Sequence, residues 1–254
     1  MRKHSAYQYL FSIILALLLF ACKKEMDTIK AEKIQDYIPL KIGNAITYKV
    51  DSTVFTNLGT IKTTRSYIMR DRVDSVITDN LGRPSFKIRR STRSSIDTTK
   101  WDETYSYLIT FDSTKQRLES IENNLRFIKL ASPVITGVQW NGTSFINTSG
   151  VPELQYLADW RFTYENVRRP FSVNGISYTE TITVNQKNDS IGTPSNKNFY
   201  SEVTRSREVY AKSIGLIFKE FLYEAWQPAN GSSAAGYYEP NSYGIKLTIL
   251  SHNF

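Results

Sequence analysis

The chain has 254 residues, 41% of them apolar and 22% charged, which is enough to build a core and excludes general disorder. Lys and Arg outnumber Asp and Glu by 32 to 24, and aromatics reach 13% with 16 Tyr. A single cysteine and two histidines, His4 and His252, exclude a disulfide framework, a Cys/His zinc site and chemistry that needs several histidines.

The first element predicted is an export signal. Arg2 and Lys3 precede an uncharged run, Leu10–Ala21, which is too short to span a bilayer as a helix but fits a secretory h-region. It ends Leu19-Phe20-Ala21-Cys22, which resembles the lipobox of bacterial lipoproteins, with Phe20 where a small residue is usual. That resemblance implies cleavage before Cys22 and acylation of Cys22, the only cysteine in the chain. Several acyl chains would anchor the protein stably where one would not. The expected organisation is a signal peptide over 1–21, a lipidated tether over 22–36 and a single β domain over 37–254. Lys23-Lys24-Glu25-Met26-Asp27 is mixed in charge, so periplasmic and surface-facing placements at the outer membrane stay open.

From Tyr37 onward the dominant hydrophobic period is two, the mark of half-buried strands. Ile46, Tyr48, Val50 and Val54 alternate with polar residues, as do Trp160, Phe162 and Tyr164, and Tyr243, Ile245, Leu247 and Ile249. Trp101, Glu103, Tyr105, Tyr107, Ile109 and Phe111 are expected on one buried face, with Thr104, Ser106 and Thr110 on a wetter one. One wet and one dry face imply antiparallel pairing. Gly43-Asn44, Asn80-Leu81-Gly82, Asn123-Asn124 and Asn174-Gly175 read as turns, the last as a two-residue hairpin loop. The expected fold is all-β: a predominantly antiparallel curved sheet, half-open barrel or sandwich of about ten strands with little helix. Pro133–Trp160 is irregular and is a candidate division between an N-terminal and a C-terminal sheet; Pro228–Pro240 reads as a flexible loop.

The segments Pro39-Leu40-Lys41-Ile42-Gly43-Asn44, Trp140-Asn141-Gly142, Val209–Ile217 and Tyr243-Gly244-Ile245-Lys246-Leu247 resemble a family of uncharacterised Bacteroidota outer-membrane lipoproteins. The resemblance implies location and fold, and brings no catalytic residues.

Chemistry is sparse. His252 lies too near the C-terminus to serve a Ser-His-Asp set, and no phosphate loop, dinucleotide fingerprint or metal spacing occurs, so neither cofactor nor metal is expected. Paired carboxylates remain as candidates for acid–base work on a glycan. Glu103 and Glu180 fall on the apolar faces of their strands, Glu220 and Glu224 flank Leu222, and Arg90, Arg205 and Arg207 are placed to partner inward acids. Glu103, Glu180, Arg205 and Arg207 are accordingly the candidate ligand-binding set, with inward salt bridges as the plainer alternative. Arg83–Arg93 carries Lys87, Arg89 and Arg93 on one face, a stripe suited to lipid phosphates, an acidic glycan or a solvated edge. Asp followed by Ser or Thr and then a small aliphatic residue or Thr occurs six times, where composition predicts roughly one. The pattern resembles the O-glycosylation signal of exported Bacteroidota proteins and marks Thr28, Ser52, Ser75, Thr98, Ser113 and Ser190; the alternative is turn capping by the aspartate. The functional expectation is a non-enzymatic, lipid-anchored envelope protein that binds or scaffolds. Its membrane contact is the lipid anchor, its partner a lipid, glycan or envelope protein rather than nucleic acid, and a concave sheet face holding an apolar ligand is one version. A carboxylate-based glycan-active enzyme is the alternative.

Overall fold

The turns marked in the sequence at Asn80–Gly82, Asn123-Asn124 and Asn174-Gly175 each close a hairpin. Asn123 and Asn124 adopt φ of 52° and 61°, and Asn174 and Gly175 adopt 51° and 76°, the left-handed values that two-residue hairpin loops require. The computed structural model describes residues 32–96, 100–230 and 235–254, and Glu32–Phe254 forms one compact unit. The strands are β1 (Ala45–Thr56), β2 (Ile61–Thr78), β3 (Pro84–Ser94), β4 (Asp102–Asp112), β5 (Arg117–Glu122), β6 (Leu125–Ala131), β7 (Gln139–Asn141), β8 (Arg161–Val173), β9 (Ile176–Ile191), β10 (Ser201–Ala211), β11 (Gly215–Gln227), β12 (Tyr237–Tyr238) and β13 (Tyr243–His252). Among the described residues, helix is confined to two short 3-10 turns, Ile34–Tyr37 and Pro152–Leu157.

These strands join one antiparallel sheet in the order β6-β5-β4-β3-β2-β1-β13-β11-β10-β9-β8-β7, with β12 paired to β11. The sheet curls until its two edges meet. At that seam Ile128 N–H donates to the Gly142 carbonyl at 2.9 Å, and the Trp140 indole donates to the Ile128 carbonyl at 2.8 Å. Tyr164 completes the join, its hydroxyl donating to the Ala131 carbonyl at 2.8 Å. The result is a nearly closed barrel, and Pro133–Trp160 runs through its seam rather than between two domains.

β8 and β9 do not stay in the wall throughout. Their pairing breaks between Glu165/Arg169 and Arg169/Phe171, where Asn166 and Arg168 take positive φ. Beyond these bulges the hairpin packs on a second cluster, with Phe171 5.4 Å from the Phe218 ring and Asn174 donating to the Ile249 carbonyl. Bulges of this kind bend a strand and re-aim its side chains.

The compact unit starts at Glu32, so the predicted tether boundary at residue 36 falls inside it. Ile34 and Tyr37 are buried, and Glu32 pairs with Arg168 and, at 3.3 Å, with Lys212. Ser213 N–H donates to the Asp36 carbonyl, holding the segment across the start of β11.

Candidate functional site

The inward-facing residues of a barrel either fill its interior or leave room for a ligand. Here they leave room, and they are not all apolar. A layer of ionised side chains crosses the lumen: Asp71 on β2, Arg90 on β3, Glu122 on β5, Lys129 on β6, Glu208 on β10 and Lys219 on β11. Arg90 grips Asp71 through two hydrogen bonds of 2.7 Å and reaches Glu122 at 2.9 Å. Lys129 donates to Glu208 at 2.5 Å, and Lys219 lies 3.7 Å from the same carboxylate, directly across the β10–β11 ladder. Three tyrosines complete the layer: Tyr105 donates to Glu122, Tyr107 to Asp71 at 3.0 Å and Tyr210 to Glu208 at 2.7 Å.

A buried ion that is not neutralised or hydrogen-bonded is costly, and this network meets that demand with three cations, three anions and three phenols. Burial pushes the Glu122 carboxyl up, but Lys219, Arg90, the Tyr105 hydroxyl and Lys129 together outweigh it and bring it down to about 2. Burial opposes ionisation of Glu208 too, and Lys129, Lys219 and Tyr210 overcome it, so Glu208 titrates below the usual range. For Lys129 burial wins: its ammonium is held below the ordinary lysine value despite Glu208. Burial first, then neighbouring carboxylates, keep Tyr107 and Tyr210 protonated far above the usual phenol range.

The ionic layer separates two cavities. The smaller, about 130 Å³, is lined by Ile38, Pro39, Leu40, Ile46, Val73, Ile88, Ile109, Leu118 and Leu216, with Phe254 at its margin. The larger, about 310 Å³, falls in the size range of small-molecule sites. Its wall is aromatic: Phe127, Tyr156, Trp160, Phe162, Phe221 and Tyr243. Trp160 and Phe221 stack at 6.3 Å and Phe221 meets Tyr243 at 4.7 Å, packing that holds the rings in place. The exposed turn residue Asn123 also lines this chamber, so it approaches the surface at the β5–β6 turn.

The sequence-predicted set lies elsewhere. Glu103 is exposed and pairs with Arg89 at 2.6 Å on the outside of the barrel. The reason is a bulge: Arg90 opposes Tyr105 but Ser91 opposes Glu103, so one extra residue on β4 flips Glu103 off the lumenal face. Glu180 lies on the strand segment that the β8 bulges disturb, and pairs with Lys212 at 3.0 Å in solvent. Arg205 and Arg207 also point outward, lining a surface groove with Asn185, Lys187 and Asn188, and Arg207 meets Glu220 at 3.4 Å. Glu224 pairs with Lys62. Thr110, expected on a wet face, is buried through its contact with Ser85, whereas Tyr105, Tyr107 and Ile109 keep accessible surface because they face the cavities.

Of the hydroxyls in Asp-Ser and Asp-Thr motifs, Ser113 and Ser190 are exposed, while Ser52 and Ser75 are half-buried in β1 and β2. Asp112 accepts from the Thr114 and Lys115 amides and Asp189 from the Ser190 amide, which is local backbone capping. Cys22, Thr28 and Thr98 lie outside the described residues.

The lumenal ions were missed because their strands read as ordinary amphipathic ones. The signal was present in phase: Lys219 shares parity with Phe221 and Tyr223, Lys129 with Phe127, and Glu208 with Ser206 on the face opposite Arg205 and Arg207.

No protein-family model matches the sequence, and no curated protein matches it. Among solved structures, a protein from Bacteroides fragilis described as exported and of YmcC-like fold aligns over 85% of this chain and 99% of its own, at 9% identity and a TM-score of 0.32. A domain from Vibrio parahaemolyticus described as of an outer membrane lipoprotein-sorting protein covers 84% of this chain and 85% of its own, at 10% identity and a TM-score of 0.18.

Proposed function

We propose that the protein is a lipid-anchored component of the cell envelope, tied to the outer membrane through Cys22, whose barrel receives an apolar ligand without transforming it. The observation that supports this reading is the two-chambered lumen, whose walls are largely apolar and aromatic around one ionic layer and a few neutral polar side chains. Acid–base chemistry on a glycan would need a carboxylic acid kept protonated near neutral pH. Glu122 and Glu208 are held ionised instead, and Glu103, Glu180, Glu220 and Glu224 are each paired with a surface cation. Modification of Thr28, Ser113 or Ser190 by a glycan fits the same location and would be read from the intact mass.

Native mass spectrometry of the full chain recovered from envelopes tests the reading. An apolar adduct is expected on the wild type and should be lost when Leu125→Trp fills the larger chamber. A wild type that carries no adduct, and takes up none when supplied with lipids, would end the carrier reading. Cys22→Ser should leave an unprocessed precursor; normal processing and membrane retention of that variant would end the anchor reading.

A further inference from the structure

The two chambers do not see the ionic layer alike. All six charges line the smaller one, where they balance. The larger chamber is lined by Arg90, Lys129 and Lys219 but, of the carboxylates in the layer, only by Glu122; Asp71 and Glu208 stand behind, on the other side. Its wall therefore presents three cationic side chains and one carboxylate. Beside these cations sits Gln186, 3% exposed, whose side-chain carbonyl accepts the Ser206 hydroxyl at 2.6 Å. Its Nε2, also buried, has no hydrogen-bond partner among the described residues although Gln186 lines the chamber. A buried donor without an acceptor is destabilising, a cost that a ligand atom can remove.

We propose that the larger chamber binds a carboxylate-headed amphiphile: its head accepts hydrogen bonds from Gln186 Nε2 and lies against Lys219 and Lys129, and its apolar body runs along the Trp160–Phe221–Tyr243 wall. This deepens the carrier reading and rests on it. Lys219 is the cation with donors to spare, because its one ion pair among the described residues, to Glu208, is long at 3.7 Å. Lys129, whose charge burial disfavours, gains from an added anion nearby. The aromatic wall supplies ring area against which the body can pack.

The test uses the full chain in phospholipid nanodiscs, titrated with dodecanoate carrying carbon-13 at its carboxyl, with empty nanodiscs as reference. A protein-bound carboxyl resonance is expected, saturable and distinct from that of the bilayer. Gln186→Leu should weaken dodecanoate about tenfold or more while changing binding of carbon-13-labelled dodecanol less than about twofold. Gln186→Glu, nearly isosteric, should abolish dodecanoate binding by charge repulsion and serves if the leucine variant does not fold. Equal binding of dodecanoate and dodecanol, both indifferent to Gln186, would overturn the head-group assignment and leave the carrier reading standing. Tighter binding of dodecylamine than of dodecanoate would overturn it too. If neither dodecanoate nor dodecanol binds above empty nanodiscs, the carrier reading itself falls.

Discussion

Two ionic clusters of similar make-up occupy opposite faces of the same wall. Inside, one arginine and two lysines face three carboxylates across a lumen; outside, Arg83, Arg117 and Arg126 converge on Asp79, Asp112 and Glu119. The outer cluster is closed. Arg83 reaches all three acids at 2.8–3.1 Å, Asp112 and Asp79 also accept backbone amides, and the Phe145 ring covers Arg117 and Arg126 at 5.0 and 5.3 Å. Its cations are all guanidinium groups, whose planar donors suit several carboxylates at once. The inner cluster uses two ammonium groups beside its one arginine and borders two cavities. The difference teaches that the number of ion pairs says little about role. A saturated cluster pins strands together, whereas one with spare donors beside a cavity is prepared for something else.

Substitution should separate the two most sharply at their central acids. Glu208→Leu removes the carboxylate that Lys129 and Lys219 share in the lumen, and is expected to cost about 3–5 kcal/mol in denaturant unfolding. Glu119→Gln, equally buried, should cost only about 1–3 kcal/mol, because Arg83 and Arg117 keep Asp112 and the near-isosteric amide can still accept a hydrogen bond. Equal costs would mean that the lumen is wetter than its walls suggest.

Acid should act on the inner cluster too. Glu122 has a folded value of about 2 against 4.5 for the free side chain, so its contribution is complete above about pH 4.5 and is lost as pH falls toward 2. That contribution is of order 3 kcal/mol, and Glu122→Gln should flatten the stability–pH curve across that window. An unchanged slope in the variant would place the acid sensitivity elsewhere, Asp112 of the outer cluster being the next group to test, since it too titrates low. At the small end, Arg207→Ala breaks an exposed pair with Glu220 and should move stability by no more than about 1 kcal/mol, with ligand binding unaffected. A larger loss would assign the surface groove a part in the fold.

How much of this was legible follows from what sets strand phase. Alternation in β1, β8 and β13 pointed to the antiparallel sheet, and Asn174-Gly175 to one of its two-residue turns, because both depend only on neighbours along the chain. Glu103 was assigned to the wrong face because a bulge is a property of the pairing: the extra residue on β4 shows only against Ser91 and Arg90 of the partner strand. The lumenal ions were hidden for a related reason. Lys129, Glu208 and Lys219 come from β6, β10 and β11, and only closure of the barrel makes three separate inward charges into one neutralised layer.

The strand order holds a further consequence, for how the chain can be re-cut. Pairing between β1 and β13 joins positions as distant as Ile46 and His252, while the other ladder partners, and the strands flanking the seam, are close along the sequence. Asn253 fastens the two ends of the body, accepting from the Ala45 amide at 2.7 Å and donating to the Gly43 carbonyl at 3.0 Å. The body is thus a ring interrupted twice, by its termini and by the thinly bonded gap between β6 and β7. A circular permutant with the present ends of the body linked and new ends opened between Ala131 and Gln139 would keep every ladder pairing and turn its one long-range pairing into a local one. Lower contact order speeds folding, so that permutant should refold faster than the natural chain order.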